Sequence, residues 1–263
     1  MPPSTQPKAL AHDLERLLPT VFNLCSRMTL SQADAQRATY LTFRRAVLGE
    51  IPADEGTREL WMLKIAAHVA EQLLPSEPEV DFDLLDDTLR SEATRTNEVA
   101  SLTSPQREFL LWELKQGCMT SVINCLSPGE RVAFVLSSVL GKSDEDAAAA
   151  LEIKESAFKV RLSRARKKIG DYLAPRCEHV DARNPCHCPS RIGVALRKGF
   201  IAPPLNAAVT LRKNLRPFNQ EIKSHDAVNI FRTLPEIEPP EALVARVRSA
   251  LSSGQWEEEK PKA

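Results

Sequence analysis

The sequence predicts an all-α protein: two small helical domains joined by an acidic linker and followed by a C-terminal tail. Three observations predict it. Glycine is scarce, at 9 of 263 residues, and aromatic residues make up 5%, while Ala, Leu, Arg and Glu recur as good helix formers. Apolar residues return at spacings of three and four over long stretches. Polar caps and Pro or Gly breaks separate those stretches at short intervals.

Residues 10–74 read as the first domain, with helices expected over His12–Met28, Ser31–Leu48 and Thr57–Leu74. Ser31 and Thr57 are each placed to accept a hydrogen bond from a first-turn amide. Ile51-Pro52 and Gly56 break the chain between helices. On the third helix Trp61, Ile65 and His68 share a face, and Leu60, Leu63, Ala67 and Leu74 supply apolar neighbours for a bundle. From 75 to 104 periodicity fades and acids accumulate, including Asp81, Asp83, Asp86 and Asp87, which reads as a mobile acidic linker. Helical periodicity resumes over Pro105–Leu126. Ser127-Pro-Gly-Glu130 then supplies a capping serine, Pro at the first helical position and an acid three residues on. This second domain spans 105–175. A Cys/His-rich extension (176–200) and a tail (201–263) with one amphipathic stretch, Leu243, Val244, Val247 and Leu251, complete the chain. No internal repeat is present.

Hydrophobic residues at 43% and charged residues at 27% fall in the range of soluble globular proteins. No apolar run approaches the roughly 20 residues of a membrane span, and the opening Met-Pro-Pro-Ser-Thr-Gln-Pro lacks the pattern of a secretory signal. The expectation is a cytoplasmic protein with no membrane partner, whose six cysteines are thiols or metal ligands rather than disulfides. Basic and acidic residues balance at 35 each, so a nucleic-acid partner must be met by a local patch.

Such a patch lies in the second domain. Ser143 is placed to cap a short Ala-rich helix, Leu151-Glu152-Ile153 makes a tight turn, and a second helix begins near Glu155. Phe158, Leu162, Ala165 and Ile169 form its inner face, which leaves Ser156, Lys159, Val160, Ser163, Arg164 and Lys167 outside, flanked by Arg161, Arg166 and Lys168. Between Lys154 and Lys168 stand seven basic residues and one acid, a local charge of about +6. A charge run alone is as compatible with a solvated surface helix. The preceding helix and turn favour a helix built for a DNA major groove.

These residues resemble region 4 of the sigma-70 family, in particular its extracytoplasmic-function group. Leu126-Ser-Pro-Gly-Glu-Arg-Val-Ala-Phe-Val-Leu is similar to the helix that leads into that domain, and Phe158-Lys-Val-Arg-Leu-Ser-Arg-Ala-Arg-Lys-Lys to its recognition helix. The resemblance implies binding to the promoter −35 element, with Lys159, Val160, Ser163 and Arg164 at bases and Arg161 and Arg166 nearer phosphates. Glu152 stands where the family often has Gly.

A weaker resemblance to region 2 covers residues 14–74. Ala33-Asp-Ala35 with Thr42-Phe-Arg-Arg-Ala46 is similar to the helix that grips the polymerase clamp, implying polymerase contacts at Asp34, Gln36, Thr39 and Phe43. Trp61-Met-Leu-Lys-Ile-Ala-Ala-His68 resembles the tryptophan-led helix that addresses the −10 element, implying that Trp61, Lys64 and His68 lie near an unstacked strand. Trp61 is equally readable as a core residue beside Ile65. Implied partners are core RNA polymerase and promoter DNA, with room for an anti-sigma factor. Transcription itself requires no cofactor.

Three thiols and two imidazoles fall within Cys177–Cys188. Cys177, His179, Cys186 and Cys188 offer four N/S donors of the kind zinc prefers, with His187 as an alternative. A redox-sensitive thiol set and ordinary packing remain open readings. Cys-rich extensions that sense metal occur in some sigma factors that this arrangement resembles. A rival of another class is a helix-turn-helix regulator whose first domain never meets polymerase. No phosphate loop, catalytic carboxylate pair or Ser/His/Asp set suggests an enzyme.

Overall fold

The computed structural model describes residues 6–29, 31–75, 78, 80–90, 104–197, 201, 226–234 and 236–257 of the chain. Among these residues the regular elements are helical, apart from one isolated bridge between Cys177 and Cys186. In chain order they are α1 (Gln6–His12), α2 (Leu14–Met28), α3 (Gln32–Ala46), α4 (Glu55–Leu73), α5 (Phe82–Arg90), α6 (Ser104–Asn124), α7 (Pro128–Phe134, followed by a π-helical stretch Val135–Val139), α8 (Asp144–Ala150), α9 (Glu155–Leu173), α10 (Cys188–Arg197), α11 (Asn229–Arg232) and α12 (Glu241–Ser253). The all-helical expectation is met.

The described residues within 1–75, 135–159 and 236–263 group into one compact unit, and those within 76–134 and 160–235 into a second. In the first unit α2, α3 and α4 pack on one another. Leu17, Val21, Phe22, Phe43, Met62, Leu63 and Ala66 are among its fully buried side chains. Ser31 caps α3 as expected, its hydroxyl accepting from the Asp34 amide at 2.9 Å. The start of α4 is corrected: Asp54, not Thr57, is its cap, and accepts from both the amide and the hydroxyl of Thr57 at 2.8 Å. A carboxylate at that end satisfies the free amides and faces the positive end of the helix dipole. Across the bundle Arg58 is ion-paired to the buried Asp13, and Arg16 bridges Asp13 and Glu59 at 3.3 and 3.0 Å. Burial raises the Asp13 carboxyl, but hydrogen bonds from His12 and Arg58 and the charges of Arg58 and Arg16 outweigh it and hold the group below its ordinary value.

In the second unit α6 packs on α10, with Leu110, Ile192, Ala195 and Ile201 as the buried cluster. Part of the segment read as a linker is a helix. Asp81 caps α5 by accepting from the Leu84 amide at 2.7 Å, and Phe82 stacks on Tyr172 with centroids 4.8 Å apart. Asp86 is paired with Arg176 at 2.9 Å. The acids of this stretch therefore cap and anchor a short helix as well as repel one another, while Leu85 supplies its buried side. The rest of the expected linker, 91–103, and residues 202–225 of the expected tail lie outside the described residues.

Candidate nucleic-acid interface

The candidate interface lies on α9, which α8 and a tight turn precede in the chain. Ser143 caps α8 by accepting from the Asp146 amide at 3.0 Å, and Ala147, Ala148 and Ala150 are buried on its inner side. The turn is closed by backbone bonds from Glu152 to Ala149 and from Ile153 to Ala148, at 3.2 and 3.1 Å. Glu152 sits at φ +54°, in the left-handed region that glycine enters without strain. Its carboxylate meets Lys64 of α4 at 2.7 Å within the first unit, so a side chain that glycine would lack is used here as an ion-pair partner.

On α9 Phe158, Leu162, Ala165 and Ile169 are all buried. The opposite face is open: Ser156, Lys159, Val160, Ser163, Arg164 and Lys167 are exposed, and Arg161 and Arg166 are half-buried. Val160 is 50% exposed, which is unusual for a large apolar residue in a folded domain and suits contact with a thymine methyl. Three of the cations have local acids. Lys159 pairs with Glu155 at 2.6 Å, which raises its pKa; Lys167 pairs with Asp171 and Lys168 with Glu130, each at 2.7 Å. Burial would raise the Glu130 carboxyl, but Lys168 and Ser127 hold it below its usual range. The Arg161 guanidinium lies over the Gly129 backbone at the start of α7, where a β-carbon would stand 3.4 Å from Nη1. Pairs with the local acids Glu155 and Asp171 are surface-exposed and exchangeable for phosphate, because such pairs contribute little.

In the first unit Trp61 is half-buried, its ring 3.1 Å from where a β-carbon on Gly49 would stand, and His68 is exposed beside Gln72 at 3.0 Å. Lys64 is engaged by Glu152. On α3 Asp34 and Gln36 are half-buried at the surface. Thr39 and Phe43, the other two expected contact residues, are both fully buried, the Thr39 hydroxyl donating to the Ala35 carbonyl at 2.8 Å. They face the bundle because α3 presents Ala35, Thr39, Thr42, Phe43 and Ala46 to its neighbours.

The Cys/His extension forms a compact hairpin in the second unit. Glu178, His179 and Cys188 bring one donor atom each to within 4.8 Å of one another. Cys188 Sγ is 3.4 Å from His179 Nε2, and Glu178 accepts from the Cys188 amide at 2.6 Å and faces His187 Nδ1 at 2.8 Å. The grouping takes in part of the expected donor set. His179 and Cys188 belong to the group, Glu178 joins them, and Cys177 and Cys186 stand outside it, paired instead through the backbone bridge. His187 is held by the Glu178 carboxylate. Burial and the Lys115 charge lower the His179 pKa, which leaves a neutral imidazole, and burial pushes the thiols of Cys177 and Cys188 up. Donors of a tetrahedral zinc with arms of 2.0–2.3 Å stand about 3.3–3.8 Å apart, so this trio fits such an ion after a contraction of about 1 Å. Sequence reasoning passed over Glu178 because it weighed only thiols and imidazoles. The Arg176–Cys186 backbone bond at 3.0 Å, which sets the hairpin register, has no local sequence signal.

A capped short helix, a tight turn and a cationic helix follow one another here in the order found in helix-turn-helix modules. Residues 116–169, which span most of this stretch, match the family described as sigma-70, region 4. The ECF RNA polymerase sigma factor SigE of Mycolicibacterium smegmatis is 24% identical over 155 residues, which take in 59% of this chain and 57% of that protein. Residues 116–169 are thus similar to region 4 of the sigma-70 family, and the chain is similar over 155 residues to a sigma factor of the extracytoplasmic-function type. It spans less than two thirds of that relative's length. No solved structure matches. No helix among the described residues is long and apolar enough to cross a membrane.

Proposed function

We propose that the chain is a sigma factor that binds core RNA polymerase and directs it to promoters, acting by recognition rather than catalysis. In this reading the outer face of α9 enters the major groove of the −35 element, with Lys159, Val160, Ser163 and Arg164 at base edges and Arg161 and Arg166 at phosphates. Ser156 and Lys167 flank that footprint. The observation that carries the reading is the open cationic face of α9 within the region 4 match. On the first bundle Asp34 and Gln36 dock polymerase, and Trp61, Lys64 and His68 address the −10 strand. Lys64 then exchanges Glu152 for phosphate, and the half-buried Trp61 offers only part of its ring for stacking.

Run-off transcription with purified core enzyme on a promoter selected by this protein tests the reading. A transcript that requires the protein supports it; DNA binding without any transcript favours a regulator that never meets polymerase.

The Cys/His hairpin supports a second element of the reading, a metal-responsive extension. Glu178, His179 and Cys188 would hold a zinc or similar ion, and the ion would order the hairpin, because binding free energy at such sites is folding free energy.

A further inference from the structure

We infer that the α3 face around Tyr40 is a docking surface already occupied by the chain's own C-terminal segment, residues 241–257, so that polymerase and this segment compete for it. The inference rests on the proposed docking of polymerase through α3.

The segment and α3 belong to the same compact unit. α12 buries Leu243, Val247, Ala250 and Leu251, one stripe at helical spacing, and packs on α1 and α3. Gly254 then ends the helix in the left-handed conformation at φ +71°, with its amide donating to the Ala250 carbonyl at 2.9 Å. That reversal carries the chain onto Tyr40. The rings of Trp256 and Tyr40 lie 5.3 Å apart and tilted by 53°, and the Arg246 guanidinium sits 3.8 Å above the Tyr40 ring. Arg246 also pairs with Glu257 at 2.7 Å, and the Glu257 amide donates to the Tyr40 hydroxyl at 2.9 Å. Arg248 pairs with Glu15 of α2. Together these groups leave Tyr40 only 1% exposed.

Tyr40 is one helical turn from Gln36 and one from Arg44, so the three side chains share a face, and neighbours at that spacing lie about 5–6 Å apart. A partner that grips Gln36 must therefore meet Trp256 and Arg246. The contacts suit displacement. Their ion pairs join solvent-exposed groups, which hold weakly, and Trp256 itself is only half-buried. A Tyr40 ring covered by an indole and a guanidinium favours a partner segment with apolar and cationic side chains, which would replace Trp256 and Arg246 on it.

Titration of core RNA polymerase with the full chain and with its Trp256→Ala and Trp256→Phe variants tests the inference. Hydrogen exchange of residues 241–257 is followed in the free and bound states. Removing the indole should tighten apparent affinity by about three- to tenfold, as the competent fraction rises, while Trp256→Phe stays within about twofold of the wild type. The segment should lose amide protection when polymerase binds. Equal affinity of all three proteins, with protection of 241–257 retained in the complex, would refute the occlusion and leave the docking reading intact. Failure of all three to bind would overturn the docking reading and this inference together.

Discussion

Removing the Arg164 guanidinium separates base reading from simple charge attraction. Arg164 is exposed on α9, one turn beyond Val160 on the same outer face. A bidentate arginine contact to a guanine edge is worth about 1–3 kcal/mol of discrimination, so Arg164→Ala should weaken binding to the cognate duplex by about 5- to 150-fold. Alanine is the best helix former, and an exposed substitution of this kind shifts stability by no more than about 0.5 kcal/mol. Fluorescence anisotropy at one fixed salt concentration, on the cognate duplex and on a scrambled one, measures the effect. Arg164→Ala should lose far more on the cognate duplex. Arg161→Ala should lose equally on both and flatten the log–log salt slope by about 1, as expected of a phosphate contact. An equal loss on both duplexes for Arg164→Ala would make it a phosphate contact too. No loss on either would remove it from the interface.

Three other consequences follow from the geometry. Asp13→Asn leaves Arg58 buried without its anion and should cost about 3 kcal/mol in urea unfolding. Because the folded-state pKa of Asp13 lies below its ordinary value near 3.8, its contribution is present above that pH and disappears as pH falls through the depressed value; the variant should lack this acid-limb slope. Glu152→Gly relieves a left-handed backbone at a cost of one exposed ion pair, so thermal melts should show stability unchanged or raised by up to about 1 kcal/mol, and a clear loss would contradict the strain argument. Cys188→Ser should abolish zinc binding in a chelator competition while Cys186→Ser leaves most of it; equal loss in both variants would restore the set of Cys177, His179, Cys186 and Cys188.

The all-helical fold and the α8–α9 module were legible because their signals are local. Ser31 and Ser143 cap where capping chemistry places them, and the four inner residues of α9 are all buried. What escaped was set at long range or by a competing local group. Asp54 displaced Thr57 as a cap because a carboxylate three residues before an amide outcompetes a hydroxyl beginning its own turn. The helix α5 was hidden by its acids: Asp81 caps it locally, but Asp86 is paired with Arg176, 90 positions away. Thr39 and Phe43 were assigned to a surface by resemblance, and only the packing of α3 shows that they face inward. The cover on Tyr40 joins positions 217 residues apart, which periodicity cannot reveal.

The account depends most on the outer face of α9 meeting bases. A photo-cross-linker placed at Ser163, in a complex of the full chain with core polymerase and promoter DNA, tests this most directly. Adducts should fall on bases of the −35 element. Adducts absent from that element, in a complex that still initiates transcription, would contradict it.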